Sequence, residues 1–351
     1  MEDKSLKVAV LYQAQQPPVQ NGIRKPMKPG GYSDSGADIA YTLKQHQVNI
    51  ITPVNHPDTN TDLDWVFPDT HKGIEQAISA GANCLWLNTV LYQGHPIENF
   101  KDVWLVGQLP SAVERYDDKW YTNNLLKQHG LPIPKAELVN YHLFKEVKLN
   151  IEFPVVAKPI RGRGSEGVTL IHTATEYETV LTQMFAEDRF GTEVYVEEYL
   201  PGQEITITVM PAGNYVVNGQ SLHQQTPWCL PGVIRFNHQN GVAPYNGTVA
   251  VVHNSSVLSD EEEASNTIQQ LYRQCETASA LVDLKAPIRI DCRANAQGQY
   301  FLFDLNMKPN MTGPSRHHRR DQDSLTALAA RKIGWSFADL LVNMLHQAWM
   351  F

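Results

Sequence analysis

Apolar positions fall in short blocks along the chain, and the blocks change period. Leu6–Leu11 is a nearly continuous apolar run of strand length, and a polar loop rich in Pro and Gln follows from Gln13 to Gly31. Asp34–Gln45 carries helical spacing behind Ser33, a residue type suited to an N-cap. Val48–Thr52 and Cys84–Leu87 have strand character, with Lys72–Ala80 helical between them. Strands that alternate with helices predict a parallel sheet of doubly wound type.

A second unit begins near Leu109. Lys119–His129 reads as a helix that stops at Gly130, before Leu131-Pro132-Ile133-Pro134. Glycine ends a helix cheaply, and proline cannot continue one. Val155–Ala157, Val168–His172 and Val194–Glu197 read as strands, with a helix over Glu176–Met184. Further on, Ile205–Val209 alternates as a strand and Glu261–Leu281 reads as one long helix. Ile288–Arg293 and Tyr300–Asn306 are two strands joined by a turn at Gly298. Asp323–Ile333 and Ser336–Ala348 are helical. The expected fold class is α/β. An N-terminal doubly wound parallel-sheet domain, 1–108, precedes two α+β subdomains, 109–196 and 197–351.

Composition narrows the function. The chain has 351 residues, 42% hydrophobic and 19% charged, as in an ordinary globular protein of two or three domains. Lysine plus arginine number 29 against 37 acids, a net charge of −8, which excludes a general nucleic-acid binder. Cys84, Cys229, Cys275 and Cys292 form no CxxC pair, so neither a thiol zinc site nor a disulfide framework is expected. Met1–Lys7 is polar, and no apolar run reaches the roughly 18 residues of a membrane span. The expectation is a reduced cytoplasmic protein with neither membrane nor nucleic acid as partner.

Three segments carry chemistry. Gly162-Arg163-Gly164-Ser165-Glu166-Gly167 matches GxGxxG, but a strand, Val168–His172, follows instead of the helix that a dinucleotide site needs. The loop reads as a flap between two strands, where backbone N–H groups approach phosphates, with Lys158 just before it as a point charge. An ordinary glycine hairpin is the competing reading. In Ile288–Arg293, alternation puts Arg289, Asp291 and Arg293 on one face. In Phe301–Asn306 it puts Asp304 and Asn306 on one face and Phe301, Phe303 and Leu305 on the other. Two carboxylates and an amide oxygen are hard ligands that suit Mg²⁺ beside nucleotide phosphates. An arginine close by suits a developing oxyanion. The competing reading is a solvated hairpin face. The third segment is Glu197-Glu198-Tyr199-Leu200-Pro201-Gly202-Gln203-Glu204, a strand that ends in acids, turns and restarts.

In this order and spacing the segments resemble the ATP-grasp superfamily, and most nearly its D-alanine–D-alanine ligase type, from about Tyr116 onward. The motifs are Ala157-Lys158-Pro159…Gly167, Glu197…Glu204 and Arg289-Ile290-Asp291…Asp304-Leu305-Asn306…Pro309-Asn310-Met311-Thr312. The resemblance implies two subdomains that clasp ATP. It implies that Lys119, Lys158 and the loop residues Arg163, Gly164 and Ser165 meet its phosphates. Glu197 and Leu200 would meet the adenine, and Glu204 the ribose. Asp291, Asp304 and Asn306 would hold Mg²⁺, two ions in the family, with Mn²⁺ as a substitute. Arg289 would stabilise the acyl-phosphate and the tetrahedral intermediate. The implied reaction is ADP-forming ligation of a small carboxylate to an amino acid amine. A glutathione-synthetase-like ligase and a non-catalytic nucleotide-binding protein are the alternatives. Dimers are common in the resembled family, which admits a homodimer.

The departures bear on substrate. Asp304 stands where the ligase type has Glu, and Asn310 stands where it has a glycine beside the oxyanion. The N-terminal loop offers Lys25, Lys28 and Tyr32 in place of an acid that would grip an ammonium, which argues against D-alanine as the acid substrate. Arg235 and His238 fall where the family covers its site, as does Pro244-Tyr245-Asn246-Gly247. The insert Gly313–Asp323 holds Arg316, Arg319 and Arg320 beside two histidines and precedes Ser324-Leu325, matched to the family's carboxylate-binding pair. The expectation is a basic lobe against an anionic substrate, with Arg316, Arg319 and Ser324 in contact with it.

Overall fold

Val8, Ala9, Val10 and Leu11 are all fully buried in β1 (Lys7–Tyr12), as in a strand covered on both faces. The computed structural model that shows this describes residues 6–351 except 21, 147, 163, 187–189 and 244–249. Four parallel strands join β1: β2 (Asn49–Ile50), β3 (Val66–Pro68), β4 (Cys84–Asn88) and β5 (Trp104–Val106). β4 lies on one side of β1 with β5 beyond it, and β2 and β3 follow one another along the other side. The expected Val48–Thr52 strand therefore shortens to two residues. Helices α1 (Ser33–Gln45) and α2 (His71–Ser79) connect these strands. Ser33 is the first residue of α1 rather than its cap. Gly30, Gly31 and Tyr32 take φ of 74°, 57° and 65° in succession, and this left-handed turn delivers the chain into the helix.

After α3 (Pro110–Tyr116) and α4 (Lys119–Gln128, capped by Asp118), a second sheet forms. Its strands are β6 (Ala136–Asn140), β7 (Val155–Pro159), β8 (Thr169–Ile171) and β9 (Glu193–Glu198), all antiparallel in the order β6-β9-β7-β8. The helix α5 (Ala174–Ala186) buries Tyr177, Leu181 and Met184 against Val155, Ala157, Val194 and Val196. β7 and β8 pair, so the glycine loop lies between two antiparallel strands, as the sequence predicts.

The third sheet starts with β10 (Glu204–Met210). A separate hairpin follows, β11 (Gly213–Val217) and β12 (Gln220–Gln224), then β13 (Trp228–Cys229), β14 (Val233–Arg235) and β15 (Ser255–Val257). The long helix expected over Glu261–Leu281 is two: α6 (Asp260–Glu263) and α7 (Asn266–Ala280). Ser265 breaks it, because its hydroxyl accepts from Ile268 N and caps a new start. β16 (Ile288–Ala294) and β17 (Tyr300–Asn306) complete the antiparallel order β15-β14-β10-β16-β17. One apolar cluster joins Leu11, Leu85 and Leu105 of the first sheet to Ile207, Ile290 and Leu302 of the third.

Two capped helices follow, α8 (Leu325–Lys332) and α9 (Phe337–His346). A short strand the sequence reading missed, β18 (Trp349–Met350), then pairs antiparallel with β5. Residues after 197 thus complete the first sheet.

The insert before α8 is not a basic lobe. Arg316 is fully buried, with Nη2 3.1 Å from Asp38 Oδ1 and Nη1 2.6 Å from Asp62 Oδ1. Arg319 Nε donates to both Asp38 oxygens at 2.8 Å, and Ser315 donates to the same carboxylate. Arg316 and Arg319 are spent on α1 and the loop after β2, so they are clamps rather than substrate residues, and Arg320 is exposed outside the cleft lining. Breaking a buried ion pair strands its partner. Arg316→Ala is therefore expected to cost about 3 kcal/mol, read as a lower urea midpoint, whereas Arg320→Ala changes it by less than about 0.5 kcal/mol.

Candidate active site

A cleft of about 540 Å³ opens between the second and third sheets, with the loop before α1 as a further wall. Its floor is the β16–β17 pair. Ile288, Ile290, Cys292 and Ala294 are buried while Arg289, Asp291 and Arg293 line the cleft or its edge, as the alternation predicts. Asp291 stands directly opposite Asp304, and Arg289 opposite Asn306. The expectation for β17 needs one correction. The register slips between Asp291 and Cys292, so Leu302 pairs with Cys292 and Phe303 is left as an extra residue. The bulge shifts the phase. Tyr300, Leu302 and Leu305 turn into the core, and Phe303 lines the cleft beside Asp304.

The two carboxylates are met by cations and a hydroxyl. Arg289 Nε and Nη2 lie 3.2 Å from the oxygens of Asp291, and Thr206 Oγ1 donates to Asp291 at 2.7 Å. Lys119 Nζ, at the start of α4, donates to Asp304 at 2.8 Å. Burial pulls Asp304 up, but Lys119, Lys158 and Arg289 outweigh it and hold the carboxyl below its ordinary range. Burial likewise opposes charge on Lys119 and Arg289, and their acidic neighbours outweigh it and raise both. Each of these three shifts favours the charged form of its group: the Asp304 carboxylate, the Lys119 ammonium and the Arg289 guanidinium.

The opposite wall is β7 and β9. Lys158 is buried, with Nζ 2.6 Å from Glu197 Oε1, and it donates to the carbonyl of Phe303 at 3.3 Å. Burial pushes the Glu197 carboxyl up against the pull of Lys158. Glu197 Oε2 is buried with no hydrogen-bond partner among the described residues. An orphaned acceptor beside Leu200 in a cleft suits an exocyclic amine such as that of adenine. Gly164 and Ser165 of the glycine loop also line the cleft, and Arg163 lies outside the described residues. The Pro244–Gly247 segment is likewise outside them.

Glu204 opens β10 and borders the cleft. The position of Arg235 and His238 in the family's covering loop implies that one of them faces the γ-phosphate or the substrate; His238 Nε2 instead lies 2.8 Å from Glu204 Oε2 and braces it. Arg235 lines the cleft, opposite Glu204 in register, and burial lowers its guanidinium. Asn310 lines it too, with Oδ1 accepting from Thr312 Oγ1 at 3.0 Å. Ser324 is fully buried as the cap of α8, accepting from Ala327 N, and its neighbour Asp323 is the residue that reaches the cleft. Sequence reasoning missed Thr206, Phe303 and Lys308, all at or beside the floor.

Among the described residues, no group of three His, Cys, Asp or Glu side chains is arranged to hold a metal by itself. An ion here would rest on Asp291, Asp304, the Asn306 amide and the oxygens of a bound nucleotide. These hard donors, already held beside cations on one face, fit Mg²⁺.

A glycine flap on one sheet that faces a charged hairpin on another across a single cleft defines an ATP-grasp protein. Residues 125–346 match the family model described as D-ala D-ala ligase C-terminus, and the chain belongs to that family. It is 29% identical over 325 residues to a D-alanine–D-alanine ligase of Pseudoalteromonas translucida, covering 89% of this chain and 90% of that one. It is 24% identical over 231 residues to the corresponding ligase of Francisella philomiragia, covering 66% and 67%. The fold matches the D-alanine–D-alanine ligase of Bacillus anthracis complexed with ATP at a TM-score of 0.63, with 17% identity and 97% of each chain covered. It matches the VanG D-Ala:D-Ser ligase of Enterococcus faecalis at 0.61, with 14% identity over 97% of this chain and 99% of that one.

Thr206 offers a test of the floor that needs no substrate. Thr206→Val removes a buried hydrogen bond to a carboxylate and should cost about 1.5–3 kcal/mol. Thr208→Val removes only a bond between neutral hydroxyls, Thr208 to Thr326, and should cost about 1 kcal/mol. Urea unfolding of both variants checks the difference, and equal costs would place Asp291 outside the charged network.

Proposed function

We propose that the protein is an ADP-forming ligase that joins an amino-acid-like carboxylate to the amine of an amino acid through an acyl-phosphate, acting in the cytoplasm. The observation that carries this reading is the convergence of Arg289, Asp291, Asp304, Lys119 and Lys158 from two sheets and a helix on one cleft. The division into 1–108, 109–196 and 197–351 is proposed with it, with β18 returned to the first unit.

The chemistry follows from the charges. A carboxylate is a poor electrophile, and its oxygen must attack the γ-phosphorus of ATP, anion on anion. The bond from that phosphorus to the β-bridging oxygen breaks, and ADP leaves. The amine nitrogen then attacks the acyl carbon, phosphate departs, and the nitrogen loses its proton. Lys158 and Lys119 stand where they would offset phosphate charge, with the glycine loop above them. Mg²⁺ or Mn²⁺ held by Asp291, Asp304 and Asn306 would neutralise the phosphates further. Arg289, kept protonated by its acidic neighbours, would meet the oxyanion on the acyl carbon. A closed flap would keep water from the acyl-phosphate.

ADP release from ATP and Mg²⁺, screened against amino acids singly and in pairs, tests the reading. The expected result is release that needs a particular pair, with a product one water lighter than their sum. Asp291→Asn should lower that release by about a hundredfold or more with the circular dichroism spectrum unchanged. Normal turnover in this variant would remove Asp291 from the metal site.

A further inference from the structure

We infer that Arg293 and His238 are positioning residues for the nucleotide: they clamp one oxygen of Glu204 so that the other meets a ribose hydroxyl, and so make the cleft select ribonucleotides over their deoxy forms. The inference rests on the nucleotide half of the ligase reading and adds the residues that set its sugar preference. It starts from one guanidinium. Arg293 on β16 stands directly opposite Glu204 on β10. Its Nη1 donates to Gly241 O at 2.7 Å, its Nε to Gly202 O at 3.3 Å and its Nη2 to Tyr199 Oη at 3.2 Å. Nη1 also lies 3.7 Å from Glu204 Oε2. One planar fork of donors therefore ties the segment after β9 to β10 and to the 239–242 turn, a task that a single ammonium could not perform.

That turn is well defined. Gln239 and Val242 exchange both backbone hydrogen bonds, at 2.9 and 3.0 Å. Asn240 and Gly241 between them are left-handed, with φ of 48° and 76°, the pattern of a type I′ turn. A Cβ on Gly241 would lie 2.7 Å from Leu170 Cδ2 and 3.4 Å from the Tyr199 ring. The turn thus reaches from the third sheet onto β8, the strand after the glycine loop, and Gly241 and Val242 line the cleft. His238 immediately precedes the turn, and its Nε2 lies 2.8 Å from Glu204 Oε2. The contacts close a ring. Arg293 holds the turn, the turn places His238, and His238 and Arg293 meet the same carboxylate oxygen. Glu204 lines the cleft, and its other oxygen, Oε1, accepts no hydrogen bond among the described residues. A carboxylate fixed through one oxygen is set to accept through the other. It repels a phosphate and takes a hydroxyl. Glu197 and Leu200, at the base end, belong to the same 197–204 segment, so the hydroxyl at Glu204 is that of the sugar.

Calorimetry of the full chain with Mg²⁺ and ADP, 2′-deoxy-ADP or 3′-deoxy-ADP tests this without turnover and without knowledge of the acid or the amine. ADP should bind about tenfold or more tighter than at least one deoxy form, the fold-change of one hydrogen bond to a charged group. Arg293→Met and His238→Leu should each weaken ADP about tenfold while weakening that deoxy form less than about threefold, so the preference collapses. A merely structural role would weaken both nucleotides alike. His238→Gln, which keeps a donor, should hold the preference to within about threefold of the unsubstituted protein. In a Glu204→Ala background, Arg293→Met should change ADP affinity by less than about twofold, because its effect runs through Glu204. His238 lies between exposed Asn237 and Gln239, so its variants read the proposal even where Arg293→Met fails to fold. A preference that survives in the folded variants, or ADP and both deoxy forms bound equally by the unsubstituted protein, overturns the positioning role. A preference lost in the variants, with no amino acid pair releasing ADP from ATP, would sink the ligase reading and keep the positioning role. Pair-dependent ADP release with the preference untouched does the reverse.

Discussion

Asp291 and Asp304 stand opposite each other in an antiparallel ladder, and the cleft is organised around the repulsion this creates. Like charges in directly opposed positions destabilise a sheet, and removal of water from them raises the cost. No single element supplies the compensation. Arg289 comes from the same strand as Asp291, Lys119 from the start of α4, and Lys158 from the second sheet. Lys158 also donates to the Phe303 carbonyl, so the second sheet is tied to the backbone of the third at the bulge. The charges that would serve a phosphoryl transfer are the same charges that let these modules close on one another. A floor whose carboxylates are met by Lys119 and Arg289 holds cations where a metal and phosphates would replace them.

Much of this was legible in the chain because it depends on period. A two-residue alternation in Ile288–Arg293 placed Arg289 and Asp291 on one face, and burial follows that pattern without a break through Ala294. The flap was legible for a similar reason, since a strand-like run after the glycines excludes a phosphate-binding helix start. Phe303 was misplaced because one extra residue in β17 reverses the phase, and nothing local in Phe301–Asn306 marks a bulge. The break in Glu261–Leu281 had a visible cause in Ser265, whose hydroxyl competes for the helix backbone. β18 had none, because two residues carry no periodicity and their partner lies in a strand near residue 105.

The insert around Arg316 was misread for a different reason. Charge counted along a segment cannot distinguish a guanidinium that faces a ligand from one that is paired inside the protein. Asp34 and Asp38 are four residues apart on α1, so both lie on one helical face, and Arg316 and Arg319 meet that face from the other end of the chain. Such a pair adds little net stability over an apolar contact, yet it is costly to break. Its geometric effect is greater. Asp34 sits at one end of this clamp at the cleft wall, where Lys28 donates to it, so the docking of α8's leader onto α1 also fixes the loop that borders the cleft.

The two ends of the cleft are consequently built by different rules. The end with Glu197, Leu200 and the flap uses strands paired within the second sheet, where register holds each side chain. The other end is assembled from loops, namely the left-handed turn before α1 and the segment after β17. One backbone contact fixes the second end to the floor. Lys308 N donates to Asn306 Oδ1 at 2.9 Å, so the amide that would serve a metal is oriented by the loop that follows β17. Asn306 keeps one lone pair of that oxygen for an ion. The amide at the end of β17 and the loop that follows it are therefore positioned together, so a change in that loop reaches the floor of the cleft through this hydrogen bond.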